Sequence, residues 1–432
     1  MLFKDIAVLD GDGKASSGLF VGTKDDRIAY IGKDEPKEGF GETCEGKGRL
    51  LMPGFFNAHA HSPMTIQRGF AENLRLHDWL TLKVFPFEEL LNGEDVYHAT
   101  MLAMAESFRY GIVSTTDMYF FAVDMAKAAL ECGAKLNLGR SLVSFDEDED
   151  MKDNRTFKEA EELRLGFDGA GDGRIKVDMS LHAEYTSTEK LVRQLAEHAI
   201  AENSSMHVHV SETFDEHEGC KERHGGRTPL RYFADFGLLD VRTTAAHCVW
   251  VEEDDRDILA EKKVTVASCP VSNLKIASGV CDVPALMDKG VNVAVGTDGP
   301  ASNNCLNYLS DLKIFTMLSK ELRGDPTLIT PAEAISAATR RGALSQGRED
   351  SGKIEEGAKA DLIVLDITGP HMHPVYDMAT NLVYSASGSD VCLTMVDGKT
   401  VYRDGEWPTI DLERAFFETD RSRERIIGQL QR

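Results

Sequence analysis

Met52-Pro53-Gly54-Phe55-Phe56-Asn57-Ala58-His59-Ala60-His61 decides the fold. An apolar run beginning at Leu51 predicts a buried strand, read here as Leu51–Phe56, and it empties into a His-x-His pair. On extended backbone, residues two apart share a face, so His59 and His61 can reach one ion together. Seven further apolar segments follow: Ile112–Thr116, Leu136–Leu142, Ile175–Leu181, Met206–Val210, Thr243–Ala246, Val264–Ala267 and Val291–Val295. Amphipathic stretches such as Asp95–Arg109, Thr188–Glu202 and Glu253–Lys262 separate them. Strand then helix, eight times over, predicts an α/β fold, a (β/α)8 TIM-type barrel. A doubly wound open sheet is the alternative, weakened because no GxGxxG follows the first strand.

Outward from the barrel, both ends of the chain are strand-rich. Leu2–Leu9, Leu19–Gly22 and Arg27–Ile31 are bounded by Gly or Asp. Near the other end, Asp361–Asp366 reads as a continuous apolar strand, and Cys392–Val396 with Lys399–Tyr402 as a hairpin around Asp397-Gly398. These features predict a small β-sandwich module formed by residues 1–54 with 355–415, a metal-dependent barrel over 55–354, and a charged terminal helix over 411–432. The 432 residues accommodate a barrel of about 250 to 350 residues plus such a module.

Net charge is −24, which disfavours phosphate backbones and anionic lipid, so neither nucleic acid nor a membrane surface is an expected partner. No apolar run approaches about 18 residues, and no secretory signal is visible. The eight cysteines are scattered without a CxxC pair, the pattern of reduced, buried thiols, and a cytoplasmic location is expected.

Active sites of such barrels lie at the carboxyl ends of the strands. Five of the eight predicted strands end in His or Asp: His59 and His61 on the first, His182 after the fourth, His207 and His209 on the fifth with Glu212 beyond, His247 after the sixth, and Asp298 after the eighth. The chain has only 13 histidines, so this clustering is not a random scatter.

The opening motif resembles that of the amidohydrolase superfamily. His209-Val210-Ser211-Glu212, Ala246-His247-Cys248, Pro270-Val271-Ser272-Asn273-Leu274-Lys275 and Gly296-Thr297-Asp298-Gly299 are similar to its aminohydrolase branch. Over nearly the full length, the order resembles the 5′-methylthioadenosine/S-adenosylhomocysteine deaminases. The resemblance implies one divalent metal per chain, zinc or else iron, held by His59, His61, His209 and Asp298. Such an ion lowers the pKa of a water from ~15.7 toward ~7. The binuclear branch needs a lysine at the end of the fourth strand; here His182 stands there, and Lys176 lies near the strand start.

The resemblance also implies catalytic roles. Glu212 protonates the ring nitrogen beside the attacked carbon, His247 polarises the attacking water and stabilises the tetrahedral adduct, and Asp298 takes the water's proton. Substrate contacts fall to Trp79 (ring stacking), Glu88 (ribose hydroxyls), Arg140, His182 and Glu212. The implied reaction is hydrolytic deamination of a 5′-substituted adenosine: S-adenosylhomocysteine, methylthioadenosine or adenosine itself. Deamination of another heterocycle, such as guanine, a pterin or a triazine, is the alternative. A purine nucleoside is the expected small-molecule partner, and a homo-oligomer is expected by resemblance alone. Two departures stand out. Glu184 replaces a usual proline and is expected to put another carboxylate near the pocket. Ser268-Cys269-Pro270 replaces a His-Asn-Pro type of triplet. A second family arginine has no clear counterpart in Ser144–Asn154, with Arg155 next along the chain.

Overall fold

A computed structural model describes residues 1–432. The amino-terminal strands are β1 (Leu2–Leu9), β2 (Ala15–Lys24), β3 (Arg27–Gly32), β4 (Thr43–Glu45) and β5 (Arg49–Pro53). The barrel follows as β6 (Phe55–Ala60), β7 (Ile112–Met118), β8 (Lys135–Gly139), β9 (Ile175–Leu181), β10 (Ser205–Val210), β11 (Thr243–His247), β12 (Thr265–Ser268) and β13 (Asn292–Val295). The chain then returns through β14 (Leu362–Asp366), β15 (Val391–Val396) and β16 (Lys399–Arg403) to a terminal helix, Leu412–Leu430.

All eight barrel strands lie where the apolar segments predict them, in sequential order, and every ladder between neighbours is parallel. The first differs in detail. Leu51–Phe56 is two strands, because the backbone changes sheets at Gly54. The Gly54 amide donates to the Asp361 carbonyl and the next amide, Phe55, to the Gly111 carbonyl, both at 2.9 Å. A Cβ at position 54 would run into the Val113 side chain, which is why glycine stands at the crossing.

The seam between β13 and β6 is closed largely by side chains. The Asn57 amide group donates to Thr297 Oγ1 at 2.7 Å and accepts the Thr297 N–H at 2.9 Å. The Tyr308 hydroxyl lies 2.6 Å from the Val295 carbonyl oxygen and 3.1 Å from that of Phe56. Beyond it, the Asp298 N–H donates to the His59 carbonyl at 3.0 Å, which fixes the last strand end against the first.

The terminal strands form one mixed sheet in the order β16-β15-β14-β5-β1-β2-β3, with β4 beside β1. Strand β14 shows why a continuous apolar strand was needed here. Leu362 and Val364 face a small core with Phe3, Ile6 and Leu51, whereas Ile363 and Leu365 join the barrel core. Period-two alternation therefore buries both faces, one in each core. The β15–β16 hairpin turns at Asp397-Gly398, both with positive φ, as a two-residue turn requires. The terminal helix is capped by Asp411, whose carboxylate accepts the Arg414 N–H at 3.0 Å. No helix is long and apolar enough to cross a membrane.

Candidate active site

At the carboxyl end of the barrel a cavity of about 650 Å³ opens above the strand ends. His61, His182, His209, Glu212, His247 and Asp298 line its floor, and Trp79, Glu88 and Arg140 its walls. Ser211, His247, Cys248 and Asp298 have φ between 47° and 71°. Non-glycine residues rarely adopt this left-handed backbone, at ~1–3 kcal/mol each, and here it turns three strand ends sharply toward the cavity. Gly299 permits the last turn, since a Cβ would meet Met64 Sδ at 2.6 Å and His61 Cβ at 3.3 Å.

The histidine tautomers follow from their neighbours. His61 Nδ1 lies 2.7 Å from the Met118 carbonyl oxygen, and His209 Nδ1 2.7 Å from that of His182. A carbonyl only accepts, so both Nδ1 atoms carry the proton and both Nε2 atoms present lone pairs. Those two Nε2 atoms face each other at 3.3 Å. Asp298 Oδ1 stands 3.5 Å from Nε2 of both His59 and His61, and His59 Nε2 is buried with no hydrogen-bond partner. His207 Nε2 lies 2.9 Å from His59 Nδ1, so His207 orients the His59 ring. Burial lowers the His59 pKa to about 3 and holds His209 well below the ordinary histidine value, so both rings are neutral at pH 7. Lone pairs converging without protons between them repel. A divalent cation removes the conflict, and three imidazoles with one carboxylate suit zinc and similar ions. The four residues expected as ligands are brought together, and His247 with them: His59, His61 and His209 form one close group and His59, His247 and Asp298 another.

Asp298 is held from behind. The Ser272 hydroxyl donates to Oδ2 at 2.6 Å, the Ser302 hydroxyl at 3.1 Å, and the Gly299 N–H to Oδ1 at 2.7 Å. The Asn273 side-chain amide lies 3.0 Å from His247 Nδ1; as a donor there it leaves the His247 Nε2–H pointing inward. Glu212 Oε2 is 3.7 Å from that Nε2. Burial, and then the charge of Asp298, raise the Glu212 pKa to about 8, so this carboxyl holds a proton at neutral pH.

Trp79 and Glu88 are nine positions apart, two and a half turns of regular α-helix and hence on opposite faces, by about 3.6 residues per turn. The segment avoids this by widening: the α-helical turns Leu76–Trp79 and Phe85–Glu88 flank a π-helical turn, Leu80–Val84. Both residues thereby line the cavity. The Trp79 indole donates to the Ala71 carbonyl at 3.1 Å. Glu88 Oε1 accepts from the Tyr119 hydroxyl at 2.6 Å, and burial raises the Glu88 pKa to about 7. His182 Nδ1 lies 2.9 Å from Thr186 Oγ1, and burial keeps the ring neutral with a pKa of about 4.

Glu184 corrects the sequence reading. Its carboxylate turns away from the cavity and accepts from Arg223 Nε at 3.1 Å, from the Arg223 Nη2 and from His224 Nε2 at 2.7 Å. Lys176 Nζ donates to the Gly347 carbonyl, away from the histidine cluster. Three residues were not anticipated. Tyr119 positions Glu88. Asp117, buried at the end of β7 and raised by burial to about 6, accepts the Ser62 N–H at 3.1 Å and fixes the turn after His61. Glu216 accepts the Ser211 N–H at 2.9 Å and the Glu212 N–H at 2.7 Å, clamping the left-handed turn that aims Glu212. The Glu-x-x-x-Glu spacing from 212 to 216 is the signal that could have found it.

Comparisons with known proteins agree with this geometry. Residues 50–401 match the model of the amidohydrolase family. The chain is 38% identical over 430 residues to the 5-methylthioadenosine/S-adenosylhomocysteine deaminase of Caldanaerobacter subterraneus subsp. tengcongensis, covering 99% of this chain and 98% of that one. It is 36% identical to the 5′-deoxyadenosine deaminase of Methanosarcina acetivorans, covering 98% and 97%. Among solved structures, an adenosine deaminase from Xanthomonas campestris with bound zinc superposes with a TM-score of 0.93 at 30% identity, covering 99% of this chain and 98% of that one. With a family match over most of its length and relatives this similar from end to end, the chain belongs to the amidohydrolase family.

Proposed function

We propose that the chain hydrolyses the exocyclic C6–N bond of a 5′-substituted adenosine: nucleoside and water give the inosine analogue and ammonia. The observation that carries this reading is a buried Glu212 carboxyl, 3.7 Å from His247 Nε2, set beside the convergence of His59, His61 and His209 with Asp298. These four residues hold one divalent cation, zinc in this reading with iron as the alternative. When bound, such an ion lowers the pKa of a coordinated water from ~15.7 toward ~7 and so supplies a nucleophile at neutral pH.

The chain's own groups handle the protons and the ring. Asp298 accepts a proton from the attacking water at the oxygen beside His59 and His61. The His247 Nε2–H donates to the water's oxygen as that oxygen bonds to C6, where negative charge builds on it. Glu212 gives its proton to ring N1, which leaves C6 electrophilic; it then takes the proton of the adduct's new hydroxyl and passes it to the departing amine, and the proton held by Asp298 restores Glu212 as the ring carbonyl forms. Trp79 stacks on the base, His182 faces its far edge, and Arg140 contacts the 5′ side. Glu88 has one oxygen bound by Tyr119 and keeps the other for the ribose diol, an acceptor for two adjacent hydroxyls.

Ultraviolet absorbance with methylthioadenosine, 5′-deoxyadenosine, S-adenosylhomocysteine, adenine and guanine tests the proposal. Adenosine-to-inosine conversion moves the band to shorter wavelength. Turnover of the nucleosides, with free bases untouched, is the expected outcome. Activity on guanine alone would sink the roles of Glu88 and Arg140 and favour a deaminase of bare heterocycles.

A further inference from the structure

The outer half of the cavity has its own charge arrangement, centred on a residue that does not itself line it. Arg140, 7% exposed, follows β8; Arg155, whose side chain is 84% exposed, opens the helix Arg155–Phe167. Both reach the cavity wall. Glu159, one turn along that helix, accepts from Arg140 Nε at 2.6 Å and from Arg155 Nε at 2.8 Å. One carboxylate thus serves two guanidinium groups. Arg140 is tied further, with Nη1 donating to the Ser141 carbonyl at 2.8 Å and its guanidinium carbon 4.9 Å from the Phe120 ring centroid. Glu89, in addition to Glu88, also lines the cavity. Counting Glu88, Glu89 and Glu159 against Arg140 and Arg155, the outer cavity has no surplus of positive charge.

The wall also carries apolar side chains: Leu76, Leu80, Phe85, Phe121, Val143 and Phe145. Phe145 is 79% exposed, with Phe85 and Phe121 just over a third exposed, so a bound substituent would cover apolar surface that now faces water. Covering it is favourable by about 25 cal/mol per Å². An amino-acid terminus placed there would give up the hydration of its carboxylate and its ammonium, and the carboxylate would meet arginine charge that Glu159 already offsets.

We infer that, within the deaminase reading on which this rests, the site selects adenosines whose 5′ substituent is uncharged, 5′-deoxy or short alkylthio, over those ending in a zwitterionic amino acid, and that Glu159 sets the preference. Glu159 acts through the two arginines and is a positioning residue.

The test compares kcat/KM for methylthioadenosine, 5′-deoxyadenosine, 5′-propylthioadenosine and S-adenosylhomocysteine in the metal-loaded wild type, Glu159→Gln and Arg155→Gln. The wild type should favour the three uncharged substrates by about tenfold or more, a difference of ~1.4 kcal/mol. Glu159→Gln should narrow that gap about fivefold, through KM for S-adenosylhomocysteine, and change the others less than about twofold. Arg155→Gln leaves Glu159 to Arg140 alone and should widen the gap. A wild type that prefers S-adenosylhomocysteine, or a Glu159→Gln ratio equal to the wild-type ratio, would overturn the inference. Calorimetric binding of the four corresponding inosine products gives the same ratio independently of turnover. Absent turnover with the ratio intact would thus remove the deaminase reading and leave the selectivity standing; absent binding by all four would remove both.

Discussion

The two ends of the barrel both bury charge, and they do so in opposite ways. At the amino-terminal end, Lys135 Nζ sits 2.6 Å from both oxygens of Asp361 and 2.7 Å from Asp397. Asp361 also accepts from the Ser351 hydroxyl at 2.9 Å and the Asp397 N–H at 3.0 Å. Arg348 donates to the carbonyls of Gly173 and Arg174 at 2.9 and 2.8 Å. Donors there meet acceptors, and the network ties β8 to the segments flanking β14 and to the β15–β16 turn. At the carboxyl-terminal end, acceptors meet acceptors: His61 Nε2 faces His209 Nε2, and Asp298 Oδ1 faces the His61 lone pair. The first arrangement stabilises the fold as it stands. The second is unfavourable unless a cation enters, and so marks the end where chemistry happens.

The largest expected effect separates the ends by activity. Glu212→Gln keeps the shape and the neutral charge that Glu212 has at pH 7 but cannot transfer a proton. It should lower kcat by about 10³, within the usual range for a lost general acid–base, while the urea midpoint stays the same. A kcat within tenfold of wild type would remove Glu212 from proton transfer. Lys135→Met should do the reverse. It strands the buried carboxylate of Asp361, leaving half-buried Asp397 to Lys359, and should cost ~3–5 kcal/mol of stability by chemical denaturation, with kcat per folded molecule unchanged. If instead kcat falls and stability holds, the contrast between the ends fails.

Removing the cation sharpens the same contrast. The metal-free protein should regain stability on adding zinc, by ~2.7 kcal/mol at a hundredfold excess over Kd. His209→Gln should abolish that gain in a thermal melt, and Lys135→Met should leave it intact. A zinc-induced shift that survives His209→Gln would place the ion elsewhere.

How much of this was legible in the sequence differs between the two ends. The gathering of residues at the carboxyl-terminal end was legible, because it uses rare residue types at strand ends: His59, His61, His209, His247 and Asp298 stand out in a chain with 13 histidines. The supporting groups were not, since Glu216, Asp117 and Tyr119 belong to common types whose meaning comes from one buried contact each. Glu184 shows the converse error: an unusual carboxylate near a motif was assigned to the pocket, but Arg223 and His224, forty residues away in sequence, draw it to the other side. The pairing of Lys135 with Asp361 spans 226 positions and has no local pattern at all. The split of Leu51–Phe56 into two strands was hidden for a similar reason, because the apolar pattern runs through Gly54 unbroken while the pairing partner changes.

The smallest expected effect concerns pH and Glu88. Burial raises its pKa to about 7, against hydrogen bonds from Tyr119 and Gln67 that favour the ionised form. Only the ionised carboxylate accepts from both ribose hydroxyls, so affinity for a nucleoside should rise with pH. A single group of this pKa gives about a tenfold gain between pH 6 and 8 if the protonated form binds weakly. Binding of a 5′-substituted inosine, compared with hypoxanthine by calorimetry, isolates the ribose contribution, because Glu212 faces the base in both ligands. The ratio of the two affinities should rise through pH 7 and become flat in Glu88→Gln. Stability should move the other way: a carboxyl whose folded pKa lies above its unfolded value favours folding below about 4.5, and that contribution is lost as pH rises through about 7. Glu88→Gln, which cannot ionise, should therefore be the more stable protein at pH 8 and lose that advantage at pH 5. A nucleoside-to-base ratio independent of pH in the wild type would mean that Glu88 does not bind the ribose, and the wall of the cavity would then need a different partner for it.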